Sequence, residues 1–185
     1  SRGQYVDELI VGPSGVGYAF HNYLPNRKAF AKKTAQAMKV SNLSVVTLLN
    51  SGGNMTQARE LLEHPNVLGA VYKDYAPYHK RRGALDGHNG KPCLSYRYLL
   101  WEGMKGASPK EVAAAIKKLP ASPATDPNSY ALVNVHAWSW DSIGGPMNAI
   151  KQTIDLLPSG TRFVTASQLL GLLGRHHSEG GRERK

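Results

Sequence analysis

Short apolar runs alternate with helical patterns along the chain, which predicts βα units on a parallel sheet. Glu8-Leu-Ile-Val-Gly12 reads as a first strand, stopped by Pro13-Ser14-Gly15. A helix from about Asn26 to Met38 follows, with Asn26 as its cap. Ser44–Leu49 is apolar on both faces, as a strand covered by helices on both sides must be. Asn54 or Thr56 opens a helix through Leu62, which His64-Pro65 ends. Val67–Tyr72 is a third strand and runs into the aromatic segment Asp74-Tyr75-Ala76-Pro77-Tyr78.

A polar loop with breakers at Gly87, Asn89 and Gly90 leads to a fourth strand, Lys91–Tyr98. Ser108-Pro109-Lys110-Glu111 places Ser as N-cap, Pro at the first helical position and Glu at the third. That start predicts a helix over Val112–Leu119, ended by Pro120, with a Pro-containing loop from Ala121 to Asn128. Tyr130–His136 is a fifth strand, and Gly144-Gly145-Pro146 opens a helix over Met147–Leu157. Thr161–Thr165 is a sixth strand and Ala166–Leu173 a closing helix.

Six strands and about five helices fall in one domain, residues 1–174. Residues 175–185, Arg175 to Lys185, read as a disordered basic tail. A complete (β/α)8 barrel takes about 250 residues. The 185 residues therefore give an α/β fold, either most of a TIM-like barrel or an open doubly wound sheet.

Charge changes this picture little. The chain has 23 Lys+Arg against 13 Asp+Glu, a net charge of +10. Arg27, Lys28, Lys32 and Lys33 lie on a helix with no aromatic interleaved; Lys80-Arg81-Arg82 is the dense run, in a loop. No helix-turn-helix, zinc-finger or RRM signature accompanies them, so a solvated basic surface accounts for the charge and nucleic acid is not an expected partner. No apolar run approaches the roughly 20 residues that a membrane span needs. One cysteine, Cys93, excludes an intrachain disulfide framework and a Cys-based zinc site. No His/Asp/Glu spacing reads as a metal site, and no cofactor is expected. The chain begins with Ser1 and shows no charged segment followed by an apolar one. It reads as a piece of a longer protein whose targeting signal lies outside it.

In both architectures, sites lie at the carboxyl ends of the strands. Gly15, Gly17 and Tyr18 follow the first strand, Asn50 and Ser51 the second, and Asp74, Tyr75 and Tyr78 the third. Arg97, Trp101 and Glu102 end the fourth; His136, Trp138, Trp140 and Asp141 end the fifth. Gly12–Tyr18 lacks both the Lys-Ser/Thr ending of a P-loop and the G-x-S-x-G spacing of a nucleophile elbow, so its glycines serve close backbone approach. Asp74 among tyrosines matches how sugars are held, aromatic faces on the ring and carboxylates on hydroxyls; a turn aspartate is the other reading. Glu102, after Leu99-Leu100-Trp101, reads either as a general acid lifted in pKa by apolar neighbours or as a surface residue. His136 reads as a substrate contact or as a core histidine bonded to backbone. Cys93, inside a strand, reads as an inert thiol.

Together these segments resemble the GxGYxYP putative glycoside hydrolase family, in its C-terminal domain. The motif stands as Gly15-Val-Gly17-Tyr18-Ala-Phe20-His21, with Phe20 for the second tyrosine and His21 for the proline. Tyr75-Ala-Pro77-Tyr78, Asn89-Gly90-Lys91-Pro92, Leu100-Trp101, His136-Ala-Trp138, and Leu157-Pro158 with Val164-Thr165 extend the resemblance from about Asp7 to Leu173. It implies a TIM-barrel-like catalytic domain, preceded by an N-terminal domain of the parent chain as partner; with the six strands read above, the barrel is expected to be incomplete at its N-terminus. It also implies an exported bacterial protein, secreted or periplasmic, acting on an oligo- or polysaccharide. On that footing Asp74 and Glu102 are the expected catalytic carboxylates. Gly15, Gly17, Tyr18, Tyr75, Tyr78, Arg97, Trp101, His136, Trp138 and Asp141 are the expected substrate contacts. A non-catalytic carbohydrate-binding domain with aromatic platforms is the alternative.

Overall fold

A computed structural model describes residues 7–75 and 80–177. Tyr78 and residues 178–185 of the expected tail lie outside the described residues. Four strands form the larger sheet: β1 (Val45–Asn50), β2 (Gly69–Asp74), β3 (Leu85–His88) and β4 (Lys91–Ser95). Their order is β1-β2-β4-β3, parallel except for β3, which runs antiparallel to β4 at the edge. A second sheet pairs β5 (Tyr98–Leu100) with β6 (Val133–Val135), also parallel. Five helices surround them: α1 (Arg27–Val40), α2 (Arg59–Leu62), α3 (Pro109–Ile116), α4 (Pro146–Asp155) and α5 (Ala166–His177).

The two-sided apolar pattern of β1 is used in full. Val46 and Leu48, with Ala70, Tyr72 and Cys93, bury one sheet face against Ala31, Ala35 and Met38 of α1 and Leu61 and Leu62 of α2. Val45 and Leu94 turn the other face toward Leu169, Leu170 and Leu173 of α5. The small sheet has its own core, where Leu100 packs with Val112 of α3, Ala149 of α4 and Trp140. None of the described helices is long and apolar enough to cross a membrane.

Helix starts follow local chemistry. The Asn26 side chain accepts from the Ala29 amide, and Asn54 and Ser108 each form a capping box, with Gln57 and Glu111 respectively. Such caps offset amide groups that the first helical turn leaves without partners.

The expected TIM-like barrel is overturned: the described residues hold a four-stranded and a two-stranded sheet and no closed barrel. Three features account for the difference. The strand expected over Glu8–Gly12 reduces to one parallel bridge, Val11 to Val46, and that expected over Thr161–Thr165 forms no ladder. The strand expected over Lys91–Tyr98 breaks after Ser95 and changes neighbours, since the Arg97 and Tyr98 amides both turn to the Leu132 carbonyl (2.8 and 3.3 Å). The segment read as a polar loop is instead a hairpin, with Asn89 (φ 53°) and Gly90 (φ 73°) at its turn. Two successive positive φ values suit the twist of a two-residue hairpin, and Asn-Gly is the dipeptide that adopts them most readily. The antiparallel β3 then closes off the edge that further parallel strands would need. At the other end of the chain, α5 runs to His177, so the first three residues of the expected tail are helical.

Close packing between layers marks the place where α5 crosses β2. A Cβ on Gly69 would fall 2.9 Å from the Pro92 carbonyl oxygen and 3.0 Å from Leu170 Cδ1. Gly69→Ala is expected to cost about 1–3 kcal/mol by overpacking, and Leu170→Ala about 2–5 kcal/mol by opening a cavity. Urea unfolding of the two variants measures both; an unchanged midpoint in either would contradict this packing.

Candidate functional site

Two clusters of polar and aromatic side chains gather at the carboxyl ends of the parallel strands. The first is built on β1 and β2. Asn50 and Asp74 are register partners at the last positions of the two strands, both buried. The Asp74 Oδ1 accepts the Gly52 amide at 2.9 Å; among the described residues nothing donates to Oδ2. Asn50 donates from Nδ2 to Gln57 Oε1 (2.6 Å) and receives the Asn22 amide on Oδ1 (3.1 Å). Its carbonyl takes the Tyr75 amide at 2.8 Å. Asn22 and Ser51 then clasp each other: Asn22 Nδ2 donates to the Ser51 carbonyl (2.9 Å), and the Ser51 amide donates to Asn22 Oδ1 (3.1 Å).

The loop over residues 13–20 is fastened to the same strand end. The Ser14 hydroxyl is buried; it accepts the Leu49 amide (2.8 Å) and donates to the Ala19 carbonyl (2.9 Å). Gly15 sits at φ 112° and close to α1, where a Cβ would fall 2.3 Å from Thr34 Oγ1. Only glycine meets both demands. Gly17 has open space at its Cβ position and accepts the Ser14 amide through its carbonyl. Beyond this loop stands an aromatic rim. Phe20 meets Tyr23 and Tyr75 edge-on, at centroid distances of 6.0 and 5.7 Å, and Tyr18, Tyr23 and Tyr75 are exposed.

Beneath the rim, His21 is fully buried, with Nε2 3.2 Å from Glu60 Oε2, while Arg27 Nε donates to Glu60 Oε1 at 3.0 Å. Burial lowers the His21 pKa below its ordinary value, although the hydrogen bond and charge of Glu60 pull the other way. Geometry agrees with burial. A neutral ring carrying its proton on Nε2 satisfies Glu60, whereas a second proton on Nδ1 would have no acceptor among the described residues.

The second cluster ends β5 and β6. The His136 ring stacks on Trp101, 3.7 Å between centroids and 8° between planes, and meets Trp138 edge-on at 5.8 Å. Trp138 is 87% exposed. Glu102 holds the turn that carries it. One carboxylate oxygen, Oε2, accepts the Trp140 amide at 2.6 Å; the other accepts the Ser142 hydroxyl. Trp140 itself is buried at φ 92°, a sparsely populated conformation for a large side chain, kept in place by Glu102 and by the Gly145 amide on its carbonyl (2.8 Å).

This corrects the expectation of a lifted Glu102 pKa. The Ser142 hydroxyl, with the Trp140, Ser142 and Asp141 amides, favours the charged form and holds the carboxyl below its ordinary range despite some desolvation. Glu102 is therefore an ionised clasp, unsuited to deliver a proton near neutral pH.

The expected residues thus divide. Asp74, Tyr75, Tyr18, Gly15 and Gly17 belong to the first cluster; Trp101, Glu102, His136, Trp138 and the exposed Asp141 belong to the second. The β2–β4 register ends with Tyr72 opposite Ser95, respectively two residues before Asp74 and seven before Glu102, which follows β5 in the other sheet. No hydrogen bond between described residues joins Asp74 to Glu102. Arg97 lies between the clusters and braces loops, with Nη2 on Asn128 Oδ1 (3.0 Å) and on the Gly83 carbonyl (3.4 Å). Sequence reasoning missed Asn22, His21 and Glu60, whose partners are 28 to 39 positions away. Asn50 did leave a signal: a polar residue closing an otherwise apolar, doubly covered strand. Cys93 is buried, which pushes its thiol pKa up and leaves it inert. Among the described residues no three His, Cys, Asp or Glu side chains gather as a metal site.

Residues 2–173 match the family described as GxGYxYP putative glycoside hydrolase C-terminal domain. Among solved structures, the chain is similar to a putative hydrolase from Bacteroides thetaiotaomicron VPI-5482, with a TM-score of 0.80 and 26% sequence identity. The similarity covers 91% of this chain and 33% of that one, so this chain spans about a third of its length. No curated protein sequence matches.

The buried histidine gives the fold a pH dependence whose sign is fixed. With its folded pKa lowered below the 6.5 of an open chain, the unfolded state takes up the proton first. His21 therefore contributes no penalty above that pH and an increasing one as pH falls from 6.5 toward the folded pKa. Urea midpoints at about pH 7.5 and about pH 5.5 should differ, the acid value being lower, and the difference should shrink in His21→Gln. An equal acid loss in that variant would assign the effect elsewhere.

Proposed function

Because this chain belongs to the GxGYxYP putative glycoside hydrolase C-terminal domain family, we propose that it takes hold of an oligo- or polysaccharide across its strand ends and presents Asp74 to a glycosidic bond. One observation carries the reading. Asp74 is buried at the end of a parallel strand, has one oxygen without a donor among the described residues, and lies next to an aromatic rim of Phe20, Tyr23 and Tyr75. Aromatic faces bind the C–H faces of sugar rings, and a carboxyl group held beside them is placed to exchange a proton with the bridging oxygen. Trp138, presented by the Glu102 clasp and backed by His136 and Trp101, supplies a second stacking platform at the ends of β5 and β6. The parent is then an exported carbohydrate-active protein in which other segments of the longer chain border the same groove.

The alternative is a domain that binds glycan without cleaving it, and the engagement of Glu102 by Trp140 and Ser142 favours it over complete hydrolysis by Asp74 and Glu102 alone. Glycoside hydrolysis ordinarily takes two carboxyl groups about 5–10 Å apart, facing one sugar. Here they serve different clusters, and Glu102 is already engaged as a clasp.

Asp74→Asn and Trp138→Ala separate these roles. With a panel of soluble oligosaccharides, Asp74→Asn is expected to cut turnover by about 100-fold or more and to leave affinity within a few-fold. Trp138→Ala is expected to weaken affinity, read by calorimetric titration. Turnover that survives in Asp74→Asn would remove Asp74 from the reaction; sugar binding without any turnover by the intact protein would establish the binding-domain reading.

A further inference from the structure

Directly after the first cluster, the chain places three exposed cations, Lys80, Arg81 and Arg82. They are not on a loose arm. The Ala84 amide donates to the Arg81 carbonyl (3.0 Å), the Gly83 amide to the Tyr96 carbonyl (3.1 Å), and Arg97 reaches the Gly83 carbonyl from behind. The run is thereby held against the end of β4, beside the end of β2. The backbone ties it to the first cluster: the Tyr96 amide, next along from the end of β4, donates to the Tyr72 carbonyl (3.3 Å), and the Tyr72 hydroxyl lies 3.4 Å from Asn50 Nδ2.

Among the described residues, no carboxylate pairs with Lys80, Arg81 or Arg82. Nearby acids have other partners: Asp86 meets Arg59 at 3.5 Å, and Glu60 meets Arg27 at 3.0 Å. No ion pair among the described residues uses this charge, and the run follows within a few positions of the exposed Tyr75 and the buried Asp74. The protein as a whole carries a net +10, which adds a longer-range attraction for anions.

We propose that Arg81 and Arg82, with Lys80, form an acid-recognition subsite, so that the glycan bound here carries uronic acid residues. A guanidinium presents parallel N–H donors that match the two oxygens of a planar carboxylate, and such charge-assisted pairs are stronger and more directional than neutral ones. The sugar carboxylate lies on the arginines while the ring rests on Tyr75 and Phe20, which brings the neighbouring linkage to Asp74. This subsite rests on the carbohydrate reading above and adds the charge of the substrate to it.

The test is calorimetric titration of the intact protein with uronate trisaccharides of the galacturonate, mannuronate and glucuronate series, and with their neutral methyl esters. A neutral cellohexaose, a sulfated oligosaccharide and a DNA oligonucleotide complete the set. At least one uronate is expected to bind about ten-fold or more tightly than its ester, the scale of one charge-assisted hydrogen bond. The Arg81→Ala/Arg82→Ala double variant should lose that preference and keep its affinity for the ester. Removing two exposed charges from α1, in Lys32→Ala/Lys33→Ala, should leave the preference intact. Equal affinity for acid and ester, or a preference that survives in the arginine variant, would overturn the proposal while the carbohydrate reading stands. So would equal losses in the arginine and lysine variants, which would assign the effect to bulk charge. Tighter binding of the sulfated sugar or of DNA than of any uronate would assign the run to another polyanion. Failure of every sugar, neutral or acidic, would instead sink the carbohydrate reading itself.

Discussion

Asn50 and Asp74 end neighbouring parallel strands with their side chains buried, and the surrounding loops are arranged to meet their demand for hydrogen bonds. A buried amide or carboxylate without partners costs several times what a satisfied one contributes. The segments that can supply partners are therefore drawn in: the donors Asn22 from the loop before α1 and Gly52 from the turn after β1, and the acceptor Gln57 from the turn before α2. Each of these contacts also fixes the height of something functional. Asn22 lies between Phe20 and Tyr23, so the clasp that satisfies Asn50 and Ser51 also sets the aromatic rim. The site is a consequence of satisfying two polar side chains at the end of an apolar sheet.

The same logic works in reverse at the second cluster. There a carboxylate, Glu102, supplies what a turn needs, taking up amides of residues 140–142 and permitting a buried tryptophan to hold a left-handed backbone. Those hydrogen bonds keep Glu102 charged, and the turn they stabilise carries Trp138 into solvent. A carboxyl group next to apolar residues in sequence is thus not a desolvated one in space. Its pKa follows the donors around it, and those come from residues 38 to 40 positions further on.

The chain belongs to the GxGYxYP putative glycoside hydrolase C-terminal domain family and spans about one third of the length of the similar Bacteroides thetaiotaomicron structure. The described strand ends and the loop after β2 offer aromatic side chains, a buried carboxyl group and three exposed cations. Under the proposed reading a glycan would engage all three, since each sugar unit presents an apolar face, hydroxyl groups and, in uronates, a charge.

By itself, the sequence determined what depends on neighbours a few positions away. Ser108 with Glu111, Asn54 with Gln57 and Asn26 with the Ala29 amide are caps completed within one helical turn, and each stands where the residues placed it. The two-sided apolar run of β1 announced a strand covered on both faces, and the family motifs announced the family. Tertiary structure decided everything that requires a choice among distant partners. The break after Ser95, the antiparallel β3 at the edge and the single bridge left of the first strand replaced a barrel with two small sheets. The Asn89-Gly90 hairpin was legible in principle, yet its pairing with Lys91–Ser95 in place of further parallel strands depends on which edge is free. The ionised state of Glu102 likewise follows from loops brought together by the fold. Hydrogen bonds within a turn are written in order along the chain, whereas burial and charge at a strand end are sums over segments that only folding makes adjacent.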